Sequence, residues 1–499
     1  MSAKRKHGMT RVVAMAGLVC VPVALVFAQT DFEAYKRQQA QAAQQTKTDF
    51  RVYKEQQDKE FAGFLKTQWA EFETFQGKVR IKEPKPKQVP VAPVIASKPP
   101  VPAPLVQPIP VAPVKPAPLA PQPVQPQPAP LAANEMQLLF FGNAVRLGFD
   151  AQWKSYRLSG GAKPEAFSDF WTQMSGSRYE ATIQAVNAAR QTLKLDDWGY
   201  VTLWREVVRE LQPERKSEQN LLLWFFLIKS GYDVRLGYYA ADVHLFVAIK
   251  QPVYSTKYTK VLNQTYYAAL ASDRGNGIRA FYSYNSAYPG KLSALDIHSA
   301  ATGFTKTQPM QRALTFDYQG KTISFSVPYD RRLVDYVATF PQSEFELYFD
   351  TDGSPLLREA LLAELRRYTA TMGQEEAVNF LLAFVQKAFA YKTDDEQFGY
   401  EKYFFIEESL YYPYNDCEDR SVLFAWLVRE LVGIPVVGVL YPGHMTTAVE
   451  LKQVKEGFFT VEYHNRRLVI ADPTYIGASV GMAMPSYAKY KPKRLVDIQ

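Results

Sequence analysis

Asn415-Asp416-Cys417-Glu418-Asp419-Arg420 runs directly into Ser421-Val422-Leu423-Phe424-Ala425-Trp426-Leu427-Val428-Arg429-Glu430-Leu431-Val432-Gly433, and the reading of the whole chain turns on this stretch. Leu423, Trp426, Leu427 and Leu431 recur at the spacing of one apolar helix face. Asn415 or Asp416 suits the N-cap, and Gly433 suits the C-terminal stop. Cys417 therefore falls in the first turn of a largely buried helix. The positive end of a helix favours a thiolate, the form a nucleophilic cysteine needs.

Two strands are predicted next, 436–441 and 445–451, hinged at Pro442-Gly443, with His444 opening the second. A further hairpin, 458–463 and 466–470, turns at His464-Asn465 and ends at Asp472. One helix terminus and two neighbouring strand positions then bring thiol, imidazole and carboxylate together. His444 would draw the proton from Cys417, and Asp472 would hold the tautomer and orientation of the ring. His464 reads as a turn residue. The plainer reading of the same residues is a buried cysteine with a core histidine.

Over about 380–481 the sequence resembles the transglutaminase-like superfamily of papain-like folds, in its branch of bacterial secreted cysteine peptidases. The resemblance rests on the Cys417-Glu418-Asp419 helix start, Gly433-Ile434-Pro435, Gly443-His444 and Asp472-Pro473-Thr474. It implies a Cys417–His444–Asp472 triad acting on amide bonds through a thioester acyl-enzyme. It also implies an oxyanion hole from the Cys417 backbone amide and an upstream side chain, for which Tyr412 and Gln397 are candidates. His444 is followed by Met445 where many members carry Ala-Trp, so the substrate wall beside the base is expected to differ.

Acidic Asp416, Glu418 and Asp419 crowd the cysteine. Capping and dipole compensation explain them simply. Calcium is the alternative, with Asp416 and Glu418 as the candidate ligands, because hard oxygen donors suit that ion and some similar proteins look like calcium binders. Asp350-Thr351-Asp352-Gly353 also hints at calcium, but no glutamate closes an EF-hand loop, and a turn capping a helix from about Pro355 is the simpler expectation.

Residues 134–274 read as a worn copy of the same unit. Ser217-Glu218-Gln219-Asn220 precedes an apolar helix, and His244 lies 27 residues beyond Ser217, the separation of Cys417 and His444. With serine for cysteine and no third carboxylate, that copy would bind or pack rather than catalyse. Chance recurrence of a helix and hairpin is the competing explanation. Residues 275–372 look β-rich, with a hairpin turning at Gln319-Gly320, and form a bridging region. Amphipathic helices over 356–367 and 375–388 lead into the catalytic unit, 373–499.

The N-terminal part is different in kind. Residues 1–28 read as a secretory signal: Lys4, Arg5, Lys6 and Arg11, then the uncharged run Val12–Ala28. An uncleaved anchor is the rival, since 17 apolar residues approach the ~20 a span needs. Over 29–81 a long helix is expected, because Asp31-Phe32-Glu33-Ala34-Tyr35-Lys36 recurs as Asp49-Phe50-Arg51-Val52-Tyr53-Lys54. The 18-residue offset is five helical turns, so both copies present one face, continued by Phe61, Phe64, Phe72 and Phe75. Such a seam should pair with a second copy, a partner protein or the chain's own catalytic part. Residues 82–133 hold 18 of the 33 prolines and read as a semi-rigid spacer without secondary structure.

The formal charge of +8 resolves along the same lines. Residues 1–28 and 82–133 carry +4 each and 29–81 carry +1, leaving −1 on 134–499. A neutral globular part argues against nucleic acid as a partner. Two cysteines exclude a disulfide-stapled scaffold, and loss of Cys20 with the signal would leave one thiol. The expectation is thus an α+β protein with a papain-like catalytic core, secreted or periplasmic, that hydrolyses amide bonds in proteins or peptides. Acyl transfer to an amine and a non-catalytic binding scaffold are the alternatives.

Overall fold

The computed structural model describes residues 23–78, 85–93 and 131–498. Most of the expected signal, Cys20, and the spacer over 94–130 lie outside the described residues. No helix among the described residues is long and apolar enough to cross a membrane. The chain is mixed α+β, with chiefly antiparallel sheets, in two compact units that divide between Phe61 and Ala62.

The first unit is the body of one helix, Val23–Thr67, on which Phe50, Val52 and Tyr53 are all exposed. The helix stops at Thr67, short of the expected 81. Trp69–Glu73 is instead a strand, paired antiparallel with Ala280–Tyr284. Phe72 packs on the buried Phe281, and the Trp69 ring meets Phe167, Tyr238 and Tyr284 at 5.2–5.8 Å. Aromatic spacing alone fits either helix or strand here, and a strand edge some 200 residues away decided it.

In the larger unit, two helix-and-sheet modules share one winding. The helix Lys216–Lys229 precedes strands Val234–Tyr239, Asp242–Ala248, Tyr258–Val261, Gln264–Tyr267 and Ala280–Tyr284. The helix Cys417–Leu431 precedes Val436–Tyr441, His444–Val449, Thr460–Tyr463, Arg466–Ala471 and Arg494–Val496. Taken in chain order, the strands of each lie side by side as fifth, first, second, fourth and third, every pair antiparallel. Trp69–Glu73 adds a sixth strand to the first sheet. The first module therefore reaches past the expected boundary at 274 to Tyr284, and borrows an edge from the segment read as helix.

Both helices are apolar nearly all round because each is covered on more than one side. Leu221–Ile228 are buried in the first, and Cys417–Val428 in the second. The second lies against its own hairpin and against helices Gln374–Ala388 and Pro355–Thr369. Between the modules a hairpin, Pro309–Tyr318 with Lys321–Asp330, turns at Gln319 and Gly320, both at positive φ. Ser354 caps the helix that begins at Pro355, accepting from the Leu357 amide. The Asp352 carboxylate meets Arg358 and Arg429 at 3.5 and 3.8 Å.

The spacer reading also needs correction at its start. Residues 85–93 form a strap seated on the second module. Val91 bridges to Ile476, the Ala92 amide donates to the Ile476 carbonyl at 2.8 Å, and Ala92 is buried among Tyr475, Ala478 and Met484. Proline content predicted the extended form, and that form is what lets the strap lie along another chain segment.

Candidate active site

Cys417 is the first residue of its helix, behind the N-cap Asp416. Asp419 secures that start, accepting the Asp416 amide at 3.1 Å and the Phe404 amide at 3.0 Å. Ser421 ties the helix to the histidine strand, donating to the carbonyls of Cys417 and Met445. His444 opens its strand after the tight turn at Pro442-Gly443, where Gly443 takes φ +67°. Met445 is fully buried, so it belongs to the core.

The structure brings His444 and Asp472 together. Nε2 of His444 lies 3.0 Å from Oδ2 of Asp472, while Oδ1 of Asp472 accepts the amides of Thr474 and Tyr475. The ring stacks on Tyr487 at 4.6 Å, and Nδ1 is buried without a hydrogen-bond partner. Gln386 fixes the acid's loop, donating to the carbonyls of Asp472 and Ala478 and accepting the Gly477 amide. A mid-helix glutamine in an apolar run was the only sequence signal for it.

Cys417 is fully buried, and its Sγ pairs with Glu418 Oε2 at 2.9 Å rather than with His444. Burial, then the Glu418 and Asp416 charges, push the thiol well above its usual range. The expected thiolate is therefore not favoured in this arrangement; desolvation and two carboxylates outweigh a helix end. The Tyr487 ring that stacks on His444 has its hydroxyl pushed up to about 12 by burial and by the Cys417 and Asp472 charges. Replacing Glu418 with glutamine removes one of the two charges that disfavour the thiolate and should raise the iodoacetamide alkylation rate of Cys417 on the order of tenfold. An unchanged rate across pH 7–9 would show that Glu418 does not hold the thiol.

Neither suggested oxyanion donor hydrogen-bonds Cys417. Tyr412 packs among Phe398, Phe404 and Tyr411, and Gln397 Oε1 is buried without a partner. Burial and the Cys417, Asp416 and Glu418 charges raise the Tyr391 hydroxyl, which donates to the Pro86 carbonyl at 2.9 Å. His464 and Asn465 form the hairpin turn, both at positive φ.

The feature sequence reasoning missed is Lys85. Its ammonium enters from the strap and lies 2.5 Å from Asp416, 2.7 Å from Glu401, 2.9 Å from Glu418 and 3.7 Å from Asp394. Burial works against its charge, but Asp416, Glu418 and Asp394 together keep its pKa well above the ordinary value. Asp416 and Glu418 are suitable oxygen donors for calcium, yet the ammonium stands where such an ion would sit.

Asp416 is pushed up to about 7 by burial and by Glu418, against the pull of Lys85. Asp196 and Glu407 are each raised to about 7, chiefly by burial. These groups bind protons in the folded chain that the unfolded chain releases above about pH 4, so their contribution is full below that pH and is lost towards pH 7. Asp296, lowered to about 2, works the other way only in acid. The melting temperature should therefore fall from pH 5 to pH 8, and a steady rise over that range would contradict these burial effects.

In the first module Ser217 and His244 line a cleft of about 740 Å³. Ser217 Oγ accepts the Val243 amide at 3.3 Å, and burial lowers the His244 imidazole pKa. Val247 and Thr447, each three residues beyond its histidine, pair with Tyr267 and Ala471. The next residue is Ala268 in the first module and Asp472 in the second. The first module has no acid at the third position.

Compared with models of known protein families, with curated proteins and with solved structures, the chain matches none.

Proposed function

We propose that this chain is a secreted thiol hydrolase of amide bonds in proteins or peptides, with a transglutaminase-like, papain-like core and Cys417, His444 and Asp472 as its triad. The supporting observation is the His444 ring: one nitrogen is held by a buried carboxylate and the other is buried and unpaired, on the strand tied to the Cys417 helix. Asp472 accepts the Nε2 proton, so Nδ1 carries the lone pair.

The thiol leaves Glu418, gives its proton to Nδ1, and the sulfur attacks the scissile carbonyl. The Cys417 amide, free at a helix start, donates to the developing oxyanion. The imidazolium returns its proton to the departing amine, leaving a thioester. Water then adds, its proton taken by Nδ1, and collapse releases the acid and the thiol. The leader delivers the chain to an oxidising compartment, and the N-terminal helix tethers it to a partner or a second copy.

The test is a digest of a peptide library by the full chain and by Cys417→Ala. New N-termini and an acyl adduct on Cys417 are expected only with the former. Identical digests without an adduct would defeat the proposal.

A further inference from the structure

Lys85 and Cys417 share one carboxylate. Glu418 Oε1 lies 2.9 Å from the ammonium while its Oε2 takes the thiol at 2.9 Å. The pocket around the ammonium is made by the catalytic module alone: Asp394, Glu401, Asp416 and Glu418. Asp416 Oδ1, fully buried, has no partner in it. Its occupant is separated in sequence by 331 residues and arrives on an extended strap. That strap bonds to the wall through main-chain atoms, Ala92 amide to Ile476 carbonyl and Tyr391 hydroxyl to Pro86 carbonyl, which any extended peptide can supply. A buried ammonium matched by several carboxylates discriminates strongly, because a neutral side chain there would leave those charges unpaired.

We propose that Asp394, Glu401, Asp416 and Glu418 form a lysine-recognition subsite beside the Cys417 thiol, filled in this state by the chain's own Lys85 as a pseudosubstrate. The polypeptide acted upon then presents a lysine on an extended segment and must displace the strap. The catalytic consequence rests on the hydrolase reading; the binding does not.

The probe is a fluorescent peptide spanning residues 82–93, Lys-Glu-Pro-Lys-Pro-Lys-Gln-Val-Pro-Val-Ala-Pro, with a second peptide carrying norleucine in place of Lys85. Ala92→Glu in the full chain puts a charge among Tyr475, Ala478 and Met484 and unseats the strap without touching the carboxylates. Lys85→Met empties the pocket by a second route. By anisotropy, the lysine peptide should bind either folded variant at least about tenfold more tightly than it binds the unaltered chain, and the norleucine peptide should lose about tenfold or more. The lysine peptide should also shield Cys417 from iodoacetamide. Equal binding of the two peptides, or equal binding to altered and unaltered chains, would overturn the subsite. Peptide binding with no acyl adduct ever found on Cys417 would leave the subsite standing and remove the hydrolase reading; the reverse pattern would do the opposite.

Discussion

Asp472→Asn is expected to lower turnover about 10⁴-fold while the fold remains, the size of loss known when a triad histidine is held in the wrong tautomer. The argument is geometric. Oδ1 of Asp472 is committed to the amides of Thr474 and Tyr475, and Oδ2 faces His444 Nε2. Asparagine keeps the two backbone bonds only with its oxygen in the Oδ1 position, which turns its NH₂ towards Nε2. Nε2 must then accept, the ring proton moves to Nδ1, and Nδ1 can no longer take the proton of the thiol. The opposite rotamer restores nothing, because it sets NH₂ against two backbone donors. Turnover of a substrate found in the peptide digest measures the loss, and imidazole NMR shifts report the tautomer. Near-native turnover in the Asp472→Asn chain would remove Asp472 from the mechanism.

Lys85→Met should be the most destabilising single change on the strap. It leaves Asp394, Asp416 and Glu418 buried with the half-buried Glu401 and no cation, and breaking a buried pair from one side costs about 3–5 kcal/mol. The sign with pH follows. Without the ammonium Asp394, Asp416 and Glu401, already raised by burial, hold protons to still higher pH, so the loss is largest at pH 8, where they must ionise or stay protonated at a cost. It shrinks towards pH 5, where more of these three are protonated in either chain. Melting curves of both chains at the two pH values measure this. A variant melting within a degree of the parent at pH 8 would show that the ammonium is not needed there.

Both predictions draw on parts of the chain that were unequally legible. The cysteine helix was readable because its signals are local: apolar spacing, an acidic cap at Asp416, a glycine stop at Gly433. His444 and Asp472 were readable because each sits at a strand end marked by a turn or a proline. The repeated 27-residue separation hinted at a second module, and the common strand order of the two sheets agrees with that hint. Trp69–Glu73 was misread because an aromatic every few residues satisfies a helix face and an edge strand alike. Only the partner strand Ala280–Tyr284 separates the two.

The sequence by itself determined where Cys417, His444 and Asp472 stand, since caps, turns and periodicity act within a few residues. The tertiary structure decided the state of the Cys417 thiol. Complete burial, the Glu418 and Asp416 charges and a lysine brought in on the proline-rich strap set the thiol's protonation. Those charges interact through space in a low dielectric, and their meeting depends on which distant segments the fold brings together, which no local pattern records.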